Sequence, residues 1–123
     1  MILVDTSIWI NHFRGGDREL IEHLETGLVT MHPFVIGELS LGNLQNRDEI
    51  LTALGNLAPV KRATEDDVLK LIANRNLWGR GIGYIDAHLL ASAIEQPGVR
   101  LWTGDKRLAA CALEMGIGYQ PTQ

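Results

Sequence analysis

Ile2-Leu3-Val4-Asp5-Thr6-Ser7-Ile8-Trp9 sets three consecutive apolar residues, an acid and two hydroxyl residues near the start of the chain. A short run that is apolar on both faces is the pattern of a strand in the middle of a parallel sheet, because successive side chains point to opposite faces and both are covered. An acid directly after such a run stands where the strand leaves the sheet. In open α/β sheets that is the end at which ligands bind.

Working outward, Thr6 and Ser7 supply capping chemistry for a short helix carrying Trp9, Ile10 and Phe13, which stops near Gly15-Gly16. A second helix starts around Asp17, with Leu20, Ile21 and Leu24 on one side and Glu19, Glu22 and Glu25 mostly on the other, and ends at Gly27. Leu28 to Met31 reads as a strand, and Pro33 suits the first turn of a helix running to about Gly42. A helix follows from about Arg47 to Leu57, then a short strand Pro59-Val60-Lys61. Thr64-Glu65-Asp66-Asp67 resembles a capping arrangement that opens an amphipathic helix with Val68, Leu69, Leu71 and Ile72. Gly79-Arg80-Gly81-Ile82-Gly83 breaks that helix. Tyr84 to Glu95 forms the next one, with so little polar surface that it belongs in the centre of the molecule. Pro97-Gly98 turns into a strand from Val99 to Thr103, Asp105 opens a helix ending at Gly116, and Ile117 to Tyr119 is a last short strand. Strands alternating with helices predict a three-layer α/β/α sandwich around a mainly parallel sheet.

The chain has 123 residues, a hydrophobic fraction of 46% and a charged fraction of 21%, which is enough for one domain over residues 1–123 with its own core. There is no signal-peptide pattern at the N-terminus and no apolar run long enough to span a bilayer, so a cytoplasmic location is expected. One cysteine, Cys111, excludes an internal disulfide framework and a cysteine-based zinc site. A net charge of −4 argues against a broad basic face gripping nucleic acid. It does not argue against a nuclease whose acids are neutralised by metal.

Most of the 15 acids have ordinary explanations as solvated helix faces or first-turn residues. Four do not. Asp5 ends the first strand, Glu38 interrupts Phe34-Val35-Ile36-Gly37 and Leu39, Asp86 opens the apolar helix, and Asp105 follows the strand Leu101-Trp102-Thr103. Each is expected at or near the buried interior. Asp5 and Asp105 also fit as helix N-caps and Asp86 as a first-turn acid, whereas a mid-helix carboxylate such as Glu38 among apolar neighbours must be paired, protonated or metal-bound. Two acids at strand ends and two on adjoining helices can converge at one end of the sheet. Like charges held together stay ionised only when cations neutralise them, and oxygen ligands suit Mg²⁺ or Mn²⁺. Two such ions roughly 3.5–4 Å apart activate a water and stabilise the leaving oxygen of a phosphodiester.

Ile2-Leu3-Val4-Asp5-Thr6-Ser7, Glu38 in its helix, Ile82-Gly83-Tyr84-Ile85-Asp86-Ala87 and Leu101-Trp102-Thr103-Gly104-Asp105-Lys106-Arg107-Leu108, in this order and spacing, resemble the PIN domain. In particular they resemble the VapC-type toxins of bacterial toxin–antitoxin pairs, over essentially the whole chain. The resemblance implies a Mg²⁺- or Mn²⁺-dependent endoribonuclease acting on single-stranded or loop RNA, and a homodimer. It implies that Asp5, Glu38, Asp86 and Asp105 hold metal, and that Thr6 or Ser7, and Thr103, bond to those carboxylates or to metal-bound water. It also implies an antitoxin protein that blocks the acidic pocket, with Trp9, Ile10 and Phe13 either forming the apolar groove for its helix or serving as plain core. Arg14, Arg80 and Arg107 are candidate contacts to RNA phosphates.

Gly79-Arg80-Gly81-Ile82-Gly83 lacks the G-x-G-x-x-G spacing of a nucleotide-binding loop and follows a helix instead of a strand. His12, His23, His32 and His88 show no zinc-like spacing and read as solvated or core-edge residues. Ser7 lacks a nucleophile elbow. Two other functions fit part of the pattern: a phosphoacceptor signalling domain, which would gather a further acid where Thr6 and Ser7 stand, and a non-catalytic binding module that uses its acids as caps.

Overall fold

The computed structural model describes residues 1–122. In chain order its elements are β1 (Ile2–Val4), α1 (Thr6–Gly15), α2 (Arg18–Glu25), β2 (Val29–Met31), α3 (Pro33–Ser40), α4 (Arg47–Gly55), β3 (Ala58–Pro59), α5 (Glu65–Asn74), α6 (Tyr84–Glu95), β4 (Arg100–Trp102) and α7 (Lys106–Glu114). The strands pair in the order β3-β2-β1-β4, every pairing is parallel, and Ile2 stands beside Val29 on one side and Arg100 on the other. All residues of β1 and β2 are buried, so helices cover both faces of the sheet, as the apolar run at the N-terminus requires. Because the strands are parallel, Asp5, His32 and Thr103 all leave the sheet at the same edge.

Helix α6 is central: every residue from Ala87 to Ala93 is buried, and it packs on α5 and β4. Pro33 is in the first turn of α3, Thr64 caps α5 by accepting from the Asp67 amide, and Cys111 is a free, buried thiol. The segment after α7 forms one parallel bridge, Gly118 beside Leu101, in place of the expected strand from Ile117 to Tyr119. The third strand sits one step earlier than expected, at Ala58–Pro59.

Three expectations fail for physical reasons. The cap of α1 is the Asp5 carboxylate, which accepts from the Thr6 amide, while Thr6 and Ser7 lie in the first turn with their hydroxyls bonded elsewhere. Glu19, assigned to the solvent side of α2, is 4% exposed, because Tyr119 and Thr122 fold over it and donate to its carboxylate. Helical periodicity cannot register a partner about a hundred residues away. Ile21 and Leu69 are exposed in exchange. His32 and His88, read as solvated or core-edge, are fully buried with their rings 6.4 Å apart, and a nitrogen of each (Nε2 of His32, Nδ1 of His88) lacks a partner among the described residues.

Candidate active site

Asp5 is the one buried member of the four acids. Its position follows from the sheet: its amide donates to the Trp102 carbonyl at 2.8 Å, locking the end of β1 to the end of β4. Three donors then fix its carboxylate. The Thr6 amide reaches Oδ1 at 2.8 Å, and the hydroxyls of Ser7 and Thr103 reach Oδ2 at 3.0 and 2.7 Å. Both hydroxyls also accept, Ser7 from the Gly104 amide at 3.0 Å and Thr103 from the Asp105 amide at 3.1 Å. The turn carrying Asp105 is thereby tied to Asp5.

Asp105 caps α7, its Oδ1 accepting from the amides of Arg107 and Leu108 at 2.9 and 3.1 Å. Asp86 stands in the first turn of α6, and its Oδ2 accepts from the Gly83 amide at 2.9 Å. Glu38, on α3, takes a hydrogen bond from the Thr6 hydroxyl on Oε1 at 2.9 Å. Each of these three acids keeps one carboxylate oxygen that no hydrogen bond among the described residues occupies.

Burial pushes the Asp86 carboxyl above the ordinary carboxylate range; the Gly83 amide offsets part of that, and the charges of Asp5, Asp105 and Glu38 raise it further. All three other acids therefore act on Asp86, and the four lie within one electrostatic neighbourhood. The expectation that all four would be buried is corrected: Asp86 is half-buried, and Glu38 and Asp105 are exposed. Glu38 escapes the cost expected of a buried mid-helix charge because α3 turns that residue to solvent while Val35 and Leu39 enter the core.

Among the described residues, no three His, Cys, Asp or Glu side chains close on a common point at the spacing of a fully protein-ligated ion. The donor set is nonetheless all oxygen, sets three carboxylates against the charge of Asp86 and has unoccupied lone pairs. That matches Mg²⁺, which keeps several waters and takes one or two carboxylates directly, better than a closed protein cage.

The remaining candidates divide. Arg14 shares with Ile10, Phe13, Glu38 and Leu39 the wall of an open cavity of about 690 Å³ that residues 42–46 also line. Trp9 does not line it, being buried against Phe13. Arg80 is held in a two-pronged ion pair by Glu114 of α7, at 2.9 and 3.0 Å. Arg107 lies across Gly81, close enough that a Cβ there would stand 2.5 Å from its Nη1. Sequence reasoning overlooked the stretch 42–46, which has no periodic pattern to mark it, and Trp78, an exposed aromatic in a glycine-rich loop.

The PIN domain family model matches residues 2–113. Ribonuclease VapC32 of Mycobacterium tuberculosis, from strains CDC 1551 / Oshkosh and ATCC 25618 / H37Rv, is 50% identical over 117 residues, covering 95% of this chain and 94% of the relative. Among solved structures, the crystal structure of PAE2754 from Pyrobaculum aerophilum superposes with a TM-score of 0.65 over 90% of this chain and 84% of that one. At 18% identity that likeness speaks to the fold alone.

Proposed function

The chain belongs to the PIN domain family, and from that membership and the carboxylate site we propose that it is an endoribonuclease, the toxin of a toxin–antitoxin pair. What supports the chemistry is that the charges of Asp5, Asp105 and Glu38 all bear on half-buried Asp86, with Thr6 linking Glu38 to the Asp5 turn and Thr103 linking Asp5 to Asp105. One nuclease domain spans residues 1–123. Asp5, Asp86 and Asp105, with the more exposed Glu38, would hold Mg²⁺ or Mn²⁺. Bound there, such an ion would supply the positive charge that activates a water and stabilises the phosphate oxygens.

What the chain itself does is position and neutralise. Ser7, Thr103 and the Thr6 amide hold the Asp5 carboxylate in one orientation before RNA arrives, two donors on Oδ2 and one on Oδ1, so that Oδ1 keeps a free lone pair. The Thr6 hydroxyl bonds one oxygen of Glu38 and leaves the other open. Arg14 and Arg107 flank the acids as cations for RNA phosphates; Arg80, neutralised by Glu114, contributes less than the sequence suggested. The cavity lined by Ile10, Phe13, Arg14 and Glu38 suits an antitoxin helix that places an apolar side chain in the groove and a basic one on the acids. The toxin acts in the cytoplasm as a homodimer; no helix among the described residues is long and apolar enough to cross a membrane.

The test is incubation of the protein with total cellular RNA in Mg²⁺, Mn²⁺ or EDTA, beside Asp5→Asn, with sequencing of new 5′ ends. Discrete metal-dependent ends, missing from the variant, are expected. Identical ends from Asp5→Asn, or cutting undiminished by EDTA, would overturn the proposal.

A further inference from the structure

Of the three tryptophans, Trp9 and Trp102 are 2% and 3% exposed, while Trp78 is 65% exposed. An indole left in water forgoes a large hydrophobic gain, and its surroundings explain what it is kept for. Trp78 follows buried Leu77, whose amide bonds to the Ile72 carbonyl, so the loop is pinned where the indole emerges. At the other end the Gly83 amide bonds to Asp86 itself. Between them, Arg80 clamps the loop to Glu114 and Arg107 crosses over Gly81, so the stretch is strapped on to α7, whose cap is Asp105. The loop therefore ends on Asp86 and is tied along α7, the helix that Asp105 caps.

Tyr84, at the downstream end, is half exposed and holds its ring edge-on against His88 with centroids 4.6 Å apart. Arg75, three residues before Trp78, Arg107, which crosses Gly81, and its neighbour Lys106 are exposed, and among the described residues none of them is in an ion pair. Aromatic faces interleaved with unpaired cations form the combination that binds single-stranded nucleic acid, bases stacking on the rings and phosphates meeting the cations.

Resting on the ribonuclease reading above, we infer that Trp78 and Tyr84 form a stacking platform for unpaired bases of the RNA strand beside the cut site. The occupant is RNA and not a second copy of the chain, because Arg75, Lys106 and Arg107 offer unpaired cations for phosphates and the downstream end of the loop bonds to Asp86. Double-stranded RNA offers no free base face and gains nothing from it.

The measurement is the affinity of a labelled single-stranded RNA in EDTA, which withholds the metal that cutting requires, followed by anisotropy for wild type, Trp78→Phe and Trp78→Leu. Quenching of the exposed indole in wild type serves as a second signal. Trp78→Leu is expected to bind roughly 5- to 150-fold more weakly, the range for loss of one stacked base, with Trp78→Phe close to wild type. A strand carrying abasic positions should bind all three proteins alike. Equal affinity of wild type and Trp78→Leu for the intact strand would overturn the proposal, as would a fall in self-association without loss of RNA affinity. A wild type that binds through Trp78 but cuts no RNA would support the platform while refuting the nuclease reading.

Discussion

Thr103 illustrates how a single hydroxyl serves two acids: it donates to Asp5 and accepts from the Asp105 amide. Thr103→Val keeps the shape but leaves Asp5 with one fewer donor, so cleavage or metal affinity should fall about 10- to 100-fold, the usual effect of losing such a supporting contact. Initial rates against Mn²⁺ concentration would measure it; rates unchanged at every concentration would refute the role. His32 makes a separate prediction, about stability. Burial, then the positive charges of His88 and Arg62, hold its pKa down at about 4 from 6.5. The unfolded chain therefore takes up the proton first, so stability is full above pH 6.5 and declines as the pH drops toward 4. His88 is lowered for related reasons, burial first and then Arg62, partly offset by Glu65, and adds to the slope. His32→Asn keeps a side-chain acceptor for the Phe34 amide but does not titrate, so urea unfolding at pH 7 and pH 5 should show a shallower loss than in wild type. Sequence gave no hint of this pair, because each histidine lies in a different element and no local pattern joins them.

Among the elements, those whose signals are local were legible. Helix α6 declared itself by its apolar composition, β1 by its unbroken apolar run, and α5 by the Thr64 cap. What stayed hidden depended on contacts between distant segments. Glu19 on α2 is bonded by Tyr119 and by the amide and hydroxyl of Thr122, and these bonds outweigh the upward push of burial to leave its carboxyl below the ordinary range. Tyr119 is correspondingly pushed up to about 12, by burial first and then by its bond to Glu19. This latch is all that fastens the C-terminal segment to α2 by side-chain hydrogen bonds among the described residues, apart from the contact of Tyr119 with His23. Glu19→Ala leaves Tyr119 and Thr122 without their acceptor and should cost about 1–3 kcal/mol in urea unfolding at pH 7. The same comparison at pH 3, below the ordinary value of 4.5 that the unfolded chain keeps, should give a smaller difference, because the stability contributed by a lowered carboxyl declines as the pH falls toward its folded value. An undiminished difference at pH 3 would mean that the latch is not ionic.

At the scale of the whole molecule, the sheet edge explains why four acids scattered from Asp5 to Asp105 meet: parallel strands release the chain at one edge, and helices α3 and α6 bring Glu38 and Asp86 to it. The order of strands and helices carried that convergence, so the grouping was readable from sequence. The degree of burial was not, since whether Glu38 faces the core or the solvent depends on how α3 is rotated against its neighbours. The central claim, that these carboxylates form one metal centre, is tested most directly by thermal unfolding of wild type and Asp86→Asn with and without Mn²⁺. Without metal, Asp86→Asn should be at least as stable as wild type, because it removes a half-buried charge repelled by three others. With the free ion about 100-fold above its Kd, wild type should gain about 2.7 kcal/mol and a matching rise in Tm, and the variant much less. An equal rise in both proteins would contradict the account.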